Sequence, residues 1–332
     1  MDSISIPVEG SPRRRVVPWW VRRIGGGVLT LFAVSILIFL ATQVLPGDAA
    51  KSILGLDATP EKLEALRAEL GLNRPALEQY LDWSRNFVTG DFGMSLVNNR
   101  SVEELLVPRA MNTIALALCA ILIALPLSIL LGSISAIRRD GPLDQGISVT
   151  SLTFNALPEF VIGLGLVVIF ATGVMKIFPA VSIFPPEESA FSNPMALVLP
   201  ALALVLAISP YIIRLVRASL IDALDSEYVL TARLRGIPER RILVNHALRN
   251  SMVPVVHGTA LILAYLAGGI VVIEYVFRFP GLGGLLLEAV SARDLPLIQA
   301  TALFLAAVYV GVNLLADLHV VRLTPRLRGV GA

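Results

Sequence analysis

Six long apolar stretches alternate with more polar segments along this chain. Each stretch is close to or above the roughly 20 residues that an α-helix needs to cross a bilayer. The apolar stretches cover residues 24–45, 110–137, 145–174, 194–213, 252–276 and 297–317. Several contain proline or glycine, which membrane helices tolerate where neighbouring helices cover the freed backbone groups. The pattern predicts an all-α integral membrane protein with six transmembrane helices.

The polar segment between the first two apolar stretches, residues 46–109, is long enough to fold. Its first predicted helix starts after Thr59, which is suited to cap it, with Pro60 at its first position. Gly71 is expected to end that helix. A second helix is predicted over residues 76–87. The segment is therefore expected to form a folded insert.

The longest polar segment of the second half of the chain covers residues 222–250. Residues 222–235 contain no glycine or proline and predict a helix. Gly236 follows where a helix C-terminus favours a residue with positive φ. Pro238 suits the first position of a next helix, which would run to about Asn250. Two short helices joined by a rigid bend resemble a docking surface more than a catalytic loop.

Composition supports a membrane protein. Only 16% of the 332 residues are charged, whereas soluble proteins average about 25%; 55% are hydrophobic, and the mean hydropathy is +0.76. The net charge of +2 gives no reason to expect a nucleic-acid partner. The single cysteine, Cys119, excludes an intrachain disulfide.

Basic residues predict the orientation of the chain. Most of its 27 lysines and arginines lie on segments that share one side of the bilayer if the N-terminus is inside. The positive-inside rule then places both termini and the 222–250 loop in the cytoplasm. The predicted order is a tail at 1–23, a span at 24–45, an extracytoplasmic insert at 46–109, a transmembrane core at 110–320 and a tail at 321–332.

Catalytic motifs are missing from the sequence. A nucleotide-binding P-loop needs lysine directly after glycine, and none of the three lysines follows a glycine. The histidines His246, His257 and His319 show no metal-ligand spacing. No catalytic residue and no metal site are predicted, and the chain is expected not to be an enzyme. If ATP drives this protein, another chain hydrolyses it.

Several spaced motifs carry a family resemblance. The 222–250 loop contains Glu227-Tyr228-Val229, Thr231-Ala232-Arg233, Gly236 and His246-Ala247-Leu248-Arg249-Asn250. It resembles the EAA loop of ABC-transporter permeases, in the form found in the dipeptide/oligopeptide/nickel importer family. Leu230 and Thr231 replace the Glu-Ala opening of the wider pattern, and Arg249 stands where proline is usual. Both departures fit the peptide branch of that family.

Further motifs lie before and after this loop, in the order that this family has them. The resemblance therefore covers nearly the whole chain after residue 20. They are Leu70-Gly71-Leu72 with Pro75 and Gln79-Tyr80, Gly90-Asp91-Phe92-Gly93-Met94-Ser95, Glu274-Tyr275-Val276-Phe277, Pro280-Gly281-Leu282-Gly283 and Asn313-Leu314-Leu315-Ala316-Asp317.

The resemblance implies a type I ABC importer permease in the bacterial inner membrane, working by alternating access. Its implied partners are a second homologous permease, two ABC ATPase subunits, an extracytoplasmic substrate-binding protein and the surrounding membrane lipid. ATP and Mg would be bound by the ATPase subunits, so no cofactor is expected in this chain. Peptide is the first choice of cargo. Nickel, glutathione, opine and oligosaccharide remain open.

The resemblance also assigns the 222–250 loop as a coupling helix that sits in a cleft of the ATPase. Ala232 would allow close helix approach, and Gly236 would set the bend. The predicted contact residues are Glu227, Tyr228, Thr231, Ala232, Arg233, Gly236 and Ile237. The alternative is an amphipathic loop lying on the membrane surface, with its arginines on lipid phosphates.

One carboxylate lies at the middle of an apolar stretch. Glu159 follows Pro158 directly, and carboxylates at bilayer depth are costly and usually face a cavity or a partner. Pro158 and Glu159 are therefore candidates for the translocation path. The alternative is a structural carboxylate that caps the helix broken at Pro158. Asp317, near the end of the last stretch, is expected to pair with Arg322 or with a neighbouring helix.

On the outer face, the candidates for docking a substrate-binding protein are Asp48, Asp91, Glu274 and Arg278, with an ordinary solvated surface as the alternative. The sequence does not favour two other classes of protein. An ion-coupled secondary transporter would be expected to carry several ionisable residues in its spans, and this chain offers essentially Glu159. An intramembrane enzyme would need a catalytic dyad or metal cluster at membrane depth, and none is visible.

Overall fold

A computed structural model describes residues 19–44, 59–69 and 73–323. Within these ranges the chain is helical and contains no β-strand, only an isolated bridge between Met94 and Ser101. The helices are α1 Trp19–Val44, α2 Pro60–Glu69, α3 Ala76–Thr89, α4 Val102–Ile137, α5 Pro142–Ala156, α6 Glu159–Val167, α7 Pro194–Leu224, α8 Glu227–Leu234, α9 Glu239–Arg241, α10 Arg249–Phe277, α11 Leu282–Ala292 and α12 Leu295–Leu323. A π-helical turn, Val168–Thr172, extends α6, a 3₁₀ turn covers Ala190–Ser192, and π-helical Ile242–Leu248 joins α9 to α10.

Four helices in the described ranges are long and apolar enough to cross a membrane: Trp20–Gln43, Val102–Ile137, Pro194–Leu224 and Leu295–Leu315. Two bent pairs bring the number to six if each pair counts as one span. The chain is therefore a multi-helix membrane protein, as the apolar pattern predicts. The count of six spans and the cytoplasmic placement of the termini stay predictions.

The third predicted stretch is not one straight helix, because α5 and α6 meet at 104°. Leu157 between them is extended, with φ −91° and ψ 134°. Pro158 explains the break, since proline disfavours the helical conformation in the residue before it and lacks a backbone N–H. The second bend, of 74°, lies between the end of α10 and α11.

Helix α7 is the centre of the bundle and packs against α4, α5, α6 and α10. Its side chains Leu199, Leu204 and Ile212 are fully buried. Helix α4 approaches it closely at Gly132, where a Cβ would lie 2.7 Å from the carbonyl oxygen of Ile213. Small residues at such crossings let membrane helices pack backbone to backbone.

Helix α1 is largely exposed and packs on α12. Arg23 and Asp317 form an ion pair of 2.6 Å between the two helices. The expectation that Asp317 pairs with a neighbouring helix is thus confirmed. At the other end of the contact, the Gln299 amide donates to the Thr42 hydroxyl at 2.8 Å.

The two helices predicted in the insert are both present. Helix α2 starts at Pro60, and the Thr59 hydroxyl accepts from the Lys62 N–H at 3.4 Å, as expected of a cap. Helix α3 ends at Gly90, whose φ of +85° closes its C-terminus. The end predicted for α2 at Gly71 and the first residues of the insert lie outside the described ranges.

Candidate functional site

The 222–250 segment forms a helical hairpin at the end of α7. The single helix predicted over 222–235 is divided, because α7 ends at Leu224 and α8 starts at Glu227. Ser226 stands before α8 with an extended backbone, and its hydroxyl donates back to the carbonyl oxygen of Ala223. The extended backbone of Ser226, with φ −79° and ψ 152°, separates the two helices, and serine is a favoured residue at the position before a helix.

Helix α8 is held on the bundle by one buried face. Val229 and Ala232, three residues apart and so on the same side of the helix, are buried. They pack in one cluster with Ala136 at the end of α4, Leu220 on α7 and Ile242 in the π-helical turn. The helix is therefore seated directly on the ends of two long helices.

This packing corrects one of the predicted contacts and bears on a second. Ala232 does not offer its surface to another protein, because its side chain faces its own chain. Ile237 is half-buried and packs against the same cluster, and its N–H donates to the carbonyl oxygen of Ala232 at 3.2 Å. Both residues help to position α8; Ala232 is too buried to contact a partner, whereas contact of the half-buried Ile237 with a partner stays a prediction.

The opposite face of α8 is exposed and partly apolar. Glu227, Leu230, Thr231 and Leu234 follow the i, i+3, i+4, i+7 spacing of one helix face, and Tyr228 flanks it. Leu234 is 81% exposed and Leu230 is 56% exposed. These two leucines were missed from the sequence, because α8 carries apolar residues on both faces and the spacing alone does not say which face is buried.

The bend after α8 has the predicted geometry. Gly236 has a φ of +73°, in the left-handed region that favours glycine. Pro238 was predicted to be the first residue of the next helix, but it is the residue just before α9. Arg233 pairs with Glu239 at 2.7 Å across the bend, and the Glu239 carboxylate raises the pKa of the Arg233 guanidinium above its ordinary value. Both side chains are exposed, so the pair contributes little to stability.

Polar contacts join the same region to α5. The Arg217 guanidinium of α7 donates two hydrogen bonds of 2.7 Å to the Asp144 carboxylate, which also accepts from the Ser135 hydroxyl and the Asp140 N–H. Asp144 is buried. Nearby, Arg139 pairs with Asp225, just beyond the end of α7, at 3.0 Å.

Glu159 is the first residue of α6, half-buried at the bend. Its carboxylate lies against Gly269 of α10, where a Cβ would come within 3.1 Å of Oε1. The glycine therefore leaves space for the carboxylate. This position is compatible with both a translocation-path residue and a structural one, and the two interpretations stay open.

The four residues predicted to dock a substrate-binding protein lie in different environments. Asp48 lies outside the described residues. Asp91 is exposed, and its carboxylate accepts from the Gly93 N–H at 3.0 Å. Arg278 is exposed at the end of α10 with a φ of +49°. Glu274 is fully buried, so the expectation that it lies on the outer surface is wrong.

The burial of Glu274 comes from the fold of α11 back onto α4 and α10. Its carboxylate accepts from the Thr113 hydroxyl at 2.5 Å and from the Gly283 N–H at 2.7 Å. Gly281 passes so close that a Cβ there would overlap the carboxylate. A negative group at the N-terminus of α11 is also favoured by the helix dipole. Glu274 therefore holds the second bend of the bundle together.

The neighbouring Asn112 of α4 fixes two loops at the same end. Its amide nitrogen donates to the carbonyl oxygens of Pro186 and Pro280, at 3.3 and 3.2 Å. Its amide oxygen accepts from the Ala190 N–H at 2.9 Å. Asn112 and Thr113 thus fasten the loop before α7 and the α10–α11 bend to a single turn of α4.

A polar cavity of about 350 Å³ lies beside these loops. Arg100 pairs with Glu104 and Glu187, both at distances of 3.2–3.3 Å, and Arg109 pairs with Glu288 at 2.9 Å. These charges were not predicted as a group, because they come from helices and loops that are distant in sequence. Among the described residues, no group of three or more His, Cys, Asp or Glu could hold a metal ion.

Family models and known proteins both match this chain over most of its length. Residues 128–329 match the family model of the binding-protein-dependent transport system inner membrane component, and residues 16–117 match the model of its N-terminal part. A peptide transport system permease protein of Brucella abortus is 36% identical over 308 residues, which are 93% of this chain and 98% of that protein. The glutathione transport system permease protein GsiC of Escherichia coli is 35% identical over 311 residues, again 93% and 98% of the two chains.

Proposed function

The chain belongs to the family of inner membrane components of binding-protein-dependent transport systems, and on that basis we propose that it passes short peptides through the bacterial inner membrane. As a member of this family it is an ABC importer permease, a transport subunit and not a known enzyme. The relatives named above carry peptide and glutathione in their names. Glutathione is itself a tripeptide, so both names support a short peptide as cargo.

The proposed complex contains this permease, a second homologous permease, two ABC ATPase subunits and an extracytoplasmic substrate-binding protein. ATP and Mg are bound by the ATPase subunits, and this chain supplies no cofactor. The loaded binding protein docks outside, ATP binding opens the path outward, and hydrolysis resets it. In this scheme both termini and α8 lie in the cytoplasm.

The observation that carries the proposal is the two-faced character of α8. Its buried face, Val229 and Ala232, attaches it to the ends of α4 and α7. Its exposed face presents Leu230 and Leu234, which are free to enter a cleft on an ATPase subunit. Apolar side chains exposed on a folded protein in this way are typical of protein–protein contacts.

Two ion pairs near α8 would make the neighbouring ends of α4, α5 and α7 move together. The bidentate Arg217–Asp144 pair joins α7 to α5. The Arg139–Asp225 pair joins the turn after α4 to the residue after α7. A pull on α8 would therefore act on α4, α5 and α7 as one group, which is what alternating access requires of a coupling helix.

The proposal is tested by purifying the chain from its native membrane in mild detergent through a C-terminal tag. Two P-loop ATPase subunits and a second permease should come with it, and the reconstituted complex should take up labelled di- and tripeptides only with the binding protein and ATP. Purification of the chain alone, with uptake driven by an ion gradient, would favour the secondary-transporter alternative. Uptake of nickel, opine or oligosaccharide without competition from peptides would reject the proposed cargo.

A matched pair of variants separates the coupling helix from a loop that lies on lipid. Leu234→Asp should remove most of the co-purifying ATPase, whereas Arg235→Asp, a charge reversal at the adjacent exposed residue, should leave it in place. If the loop binds lipid phosphates, neither change should alter the amount of ATPase. That outcome would contradict the role given to α8.

A further inference from the structure

Helix α3, in the insert between α1 and α4, has three distinct faces. Tyr80, Trp83 and Phe87 form one face, half-buried in a row of aromatic contacts. Polar residues occupy the face roughly opposite the apolar ones. Between these two lies a stripe of Leu77, Leu81 and Val88, spaced four and seven residues apart and therefore on one side of the helix.

The apolar stripe is strongly exposed. Leu77 is 69% exposed, Leu81 56% and Val88 86%. Three large apolar side chains aligned along a 14-residue helix are unusual on a surface that faces only water. Something apolar is expected to cover them.

Contacts with α1 show where α3 lies along that helix. The Tyr80 hydroxyl lies 2.8 Å from the Ser35 hydroxyl, and the ring of Phe39 lies 5.4 Å from that of Tyr80 and 6.2 Å from that of Trp83. Gln43, next to the end of α1, donates to Gln79 at 3.0 Å. Helix α3 is therefore packed against the last turns of α1.

That position lies within the span. Ser35 precedes the end of α1 at Val44 by nine residues, about 13 Å along a helix axis at 1.5 Å per residue. The same stretch of α1 also exposes Leu37 and Leu40, the kind of surface that a span presents to lipid.

We propose that α3 lies in the outer interface of the membrane, with Leu77, Leu81 and Val88 inserted among the lipid acyl chains. The aromatic pair Tyr80 and Trp83 fits this placement, because tyrosine and tryptophan are enriched at the membrane–water boundary. Amphipathic helices of this kind sit with their apolar face buried about 5–10 Å below the headgroups.

The polar face of α3 completes the match to a bilayer surface. Arg74 pairs with Asp82 at 2.7 Å and with Glu78 at 3.3 Å, and all three side chains are exposed. Charges paired in this way suit the aqueous side of an interfacial helix. The insert would then be anchored by lipid as well as by α1, whatever cargo the complex carries and whichever ATPase drives it.

The test measures the depth of single spin labels in the full transporter complex, reconstituted in vesicles of phosphatidylethanolamine and phosphatidylglycerol. The native cysteine is first removed by Cys119→Ala. Single cysteines are then placed on the apolar stripe and, as matched controls, on the polar face. The variants are Leu77→Cys, Leu81→Cys and Val88→Cys against Glu78→Cys, Asp82→Cys and Asn86→Cys. All six positions are exposed, so the labels disturb little packing.

Labels on the stripe should collide more with dissolved oxygen than with a water-soluble nickel complex and should lie about 5–10 Å below the phosphates. Labels on the polar face should show the reverse preference. A label at Leu37→Cys on α1 calibrates the signal of a lipid-facing position. Stripe labels that prefer the nickel complex would place α3 in water. Stripe labels shielded from both reagents would mean that a protein subunit covers the stripe, and either result overturns the proposal.

Discussion

Replacing Gly236 tests whether the bend after α8 couples this permease to its ATPase. Gly236 has a φ of +73°, where the Cβ of an L-residue is too close to the carbonyl oxygen that follows. No other atom lies within 4 Å of the place that its Cβ would occupy. The whole cost of a substitution therefore comes from the backbone and none from packing.

The magnitude follows from the residue that replaces glycine. A β-branched residue held in this region costs about 1–3 kcal/mol, and alanine costs about 1–2 kcal/mol. Asparagine tolerates the left-handed conformation best after glycine. Since about 1.4 kcal/mol changes an equilibrium constant tenfold, Gly236→Val is expected to lower the equilibrium constant for the native bend by about one order of magnitude or more.

The assay compares Gly236→Val, Gly236→Ala and Gly236→Asn for ATP-driven peptide uptake in proteoliposomes, with the amount of chain in the membrane measured by immunoblot. Uptake should fall most in the valine variant, by up to about tenfold, less in the alanine variant and least in the asparagine variant, at equal amounts of chain. ATP hydrolysis that continues without uptake would identify the loss as uncoupling. Normal uptake in the valine variant would refute the reasoning, and so would an asparagine variant as impaired as the valine one.

Three further changes address other contacts. Gly281→Ala places a Cβ on the Glu274 carboxylate, and overpacking of this kind costs about 1–3 kcal/mol, so the Tm in detergent should fall. Asp144→Asn leaves the Arg217 guanidinium without its charged partner and should lower the Tm, by less than the loss of about 3–5 kcal/mol for a fully buried pair because Arg217 is 29% exposed, and adding Arg217→Met should recover part of the lost Tm. Leu234→Asp should leave the Tm unchanged, since surface changes stay within about 0.5 kcal/mol, yet reduce co-purifying ATPase about tenfold.

Each of these changes has a control or a contrary result. Gly146→Ala, at a helical glycine with no atom within 4 Å of the added Cβ, should not lower the Tm, since alanine is the better helix former. If Gly281→Ala has the same Tm as the unchanged protein, the bend has space to relax around the added Cβ. If the double change at residues 144 and 217 is no more stable than Asp144→Asn alone, the charge of Arg217 is not what destabilises the single variant. A lowered Tm in Leu234→Asp would show that this leucine packs against its own chain.

Local features of the fold could be predicted from the sequence, because their causes are local. Pro60 and Thr59 start α2, and Gly236 ends α8 with the expected positive φ. The break at Pro158 had its signal in the sequence too. The sequence predicts one span that tolerates this proline, with a helix broken at Pro158 as the alternative given for Glu159, and the structure has a bend of 104° there.

The side chains that depend on distant contacts could not be placed in this way. Glu274 is an acidic residue close to the end of the apolar stretch 252–276, so a position at the outer surface was expected from the sequence. Its burial needs Thr113, which is 161 residues away in sequence. Ala232 and Leu234 are both apolar residues of one short helix, and only the position of α8 on the ends of α4 and α7 decides which of them is buried.

Helix α4 runs without interruption for 36 residues, about 54 Å at 1.5 Å per residue. Near one end, Asn112 and Thr113 hold the loops that flank the polar cavity. Near the other, Ser135 and Ala136 contact Asp144 and the cluster that seats α8. The same helix therefore contacts the loops near one end of the bundle and the seat of α8 near the other, and Pro126, which removes one backbone hydrogen bond, lies between the two. Under the proposed function, a movement of α4 would shift its contacts at both ends together, so the loops beside the polar cavity and the base of α8 would be linked through one helix.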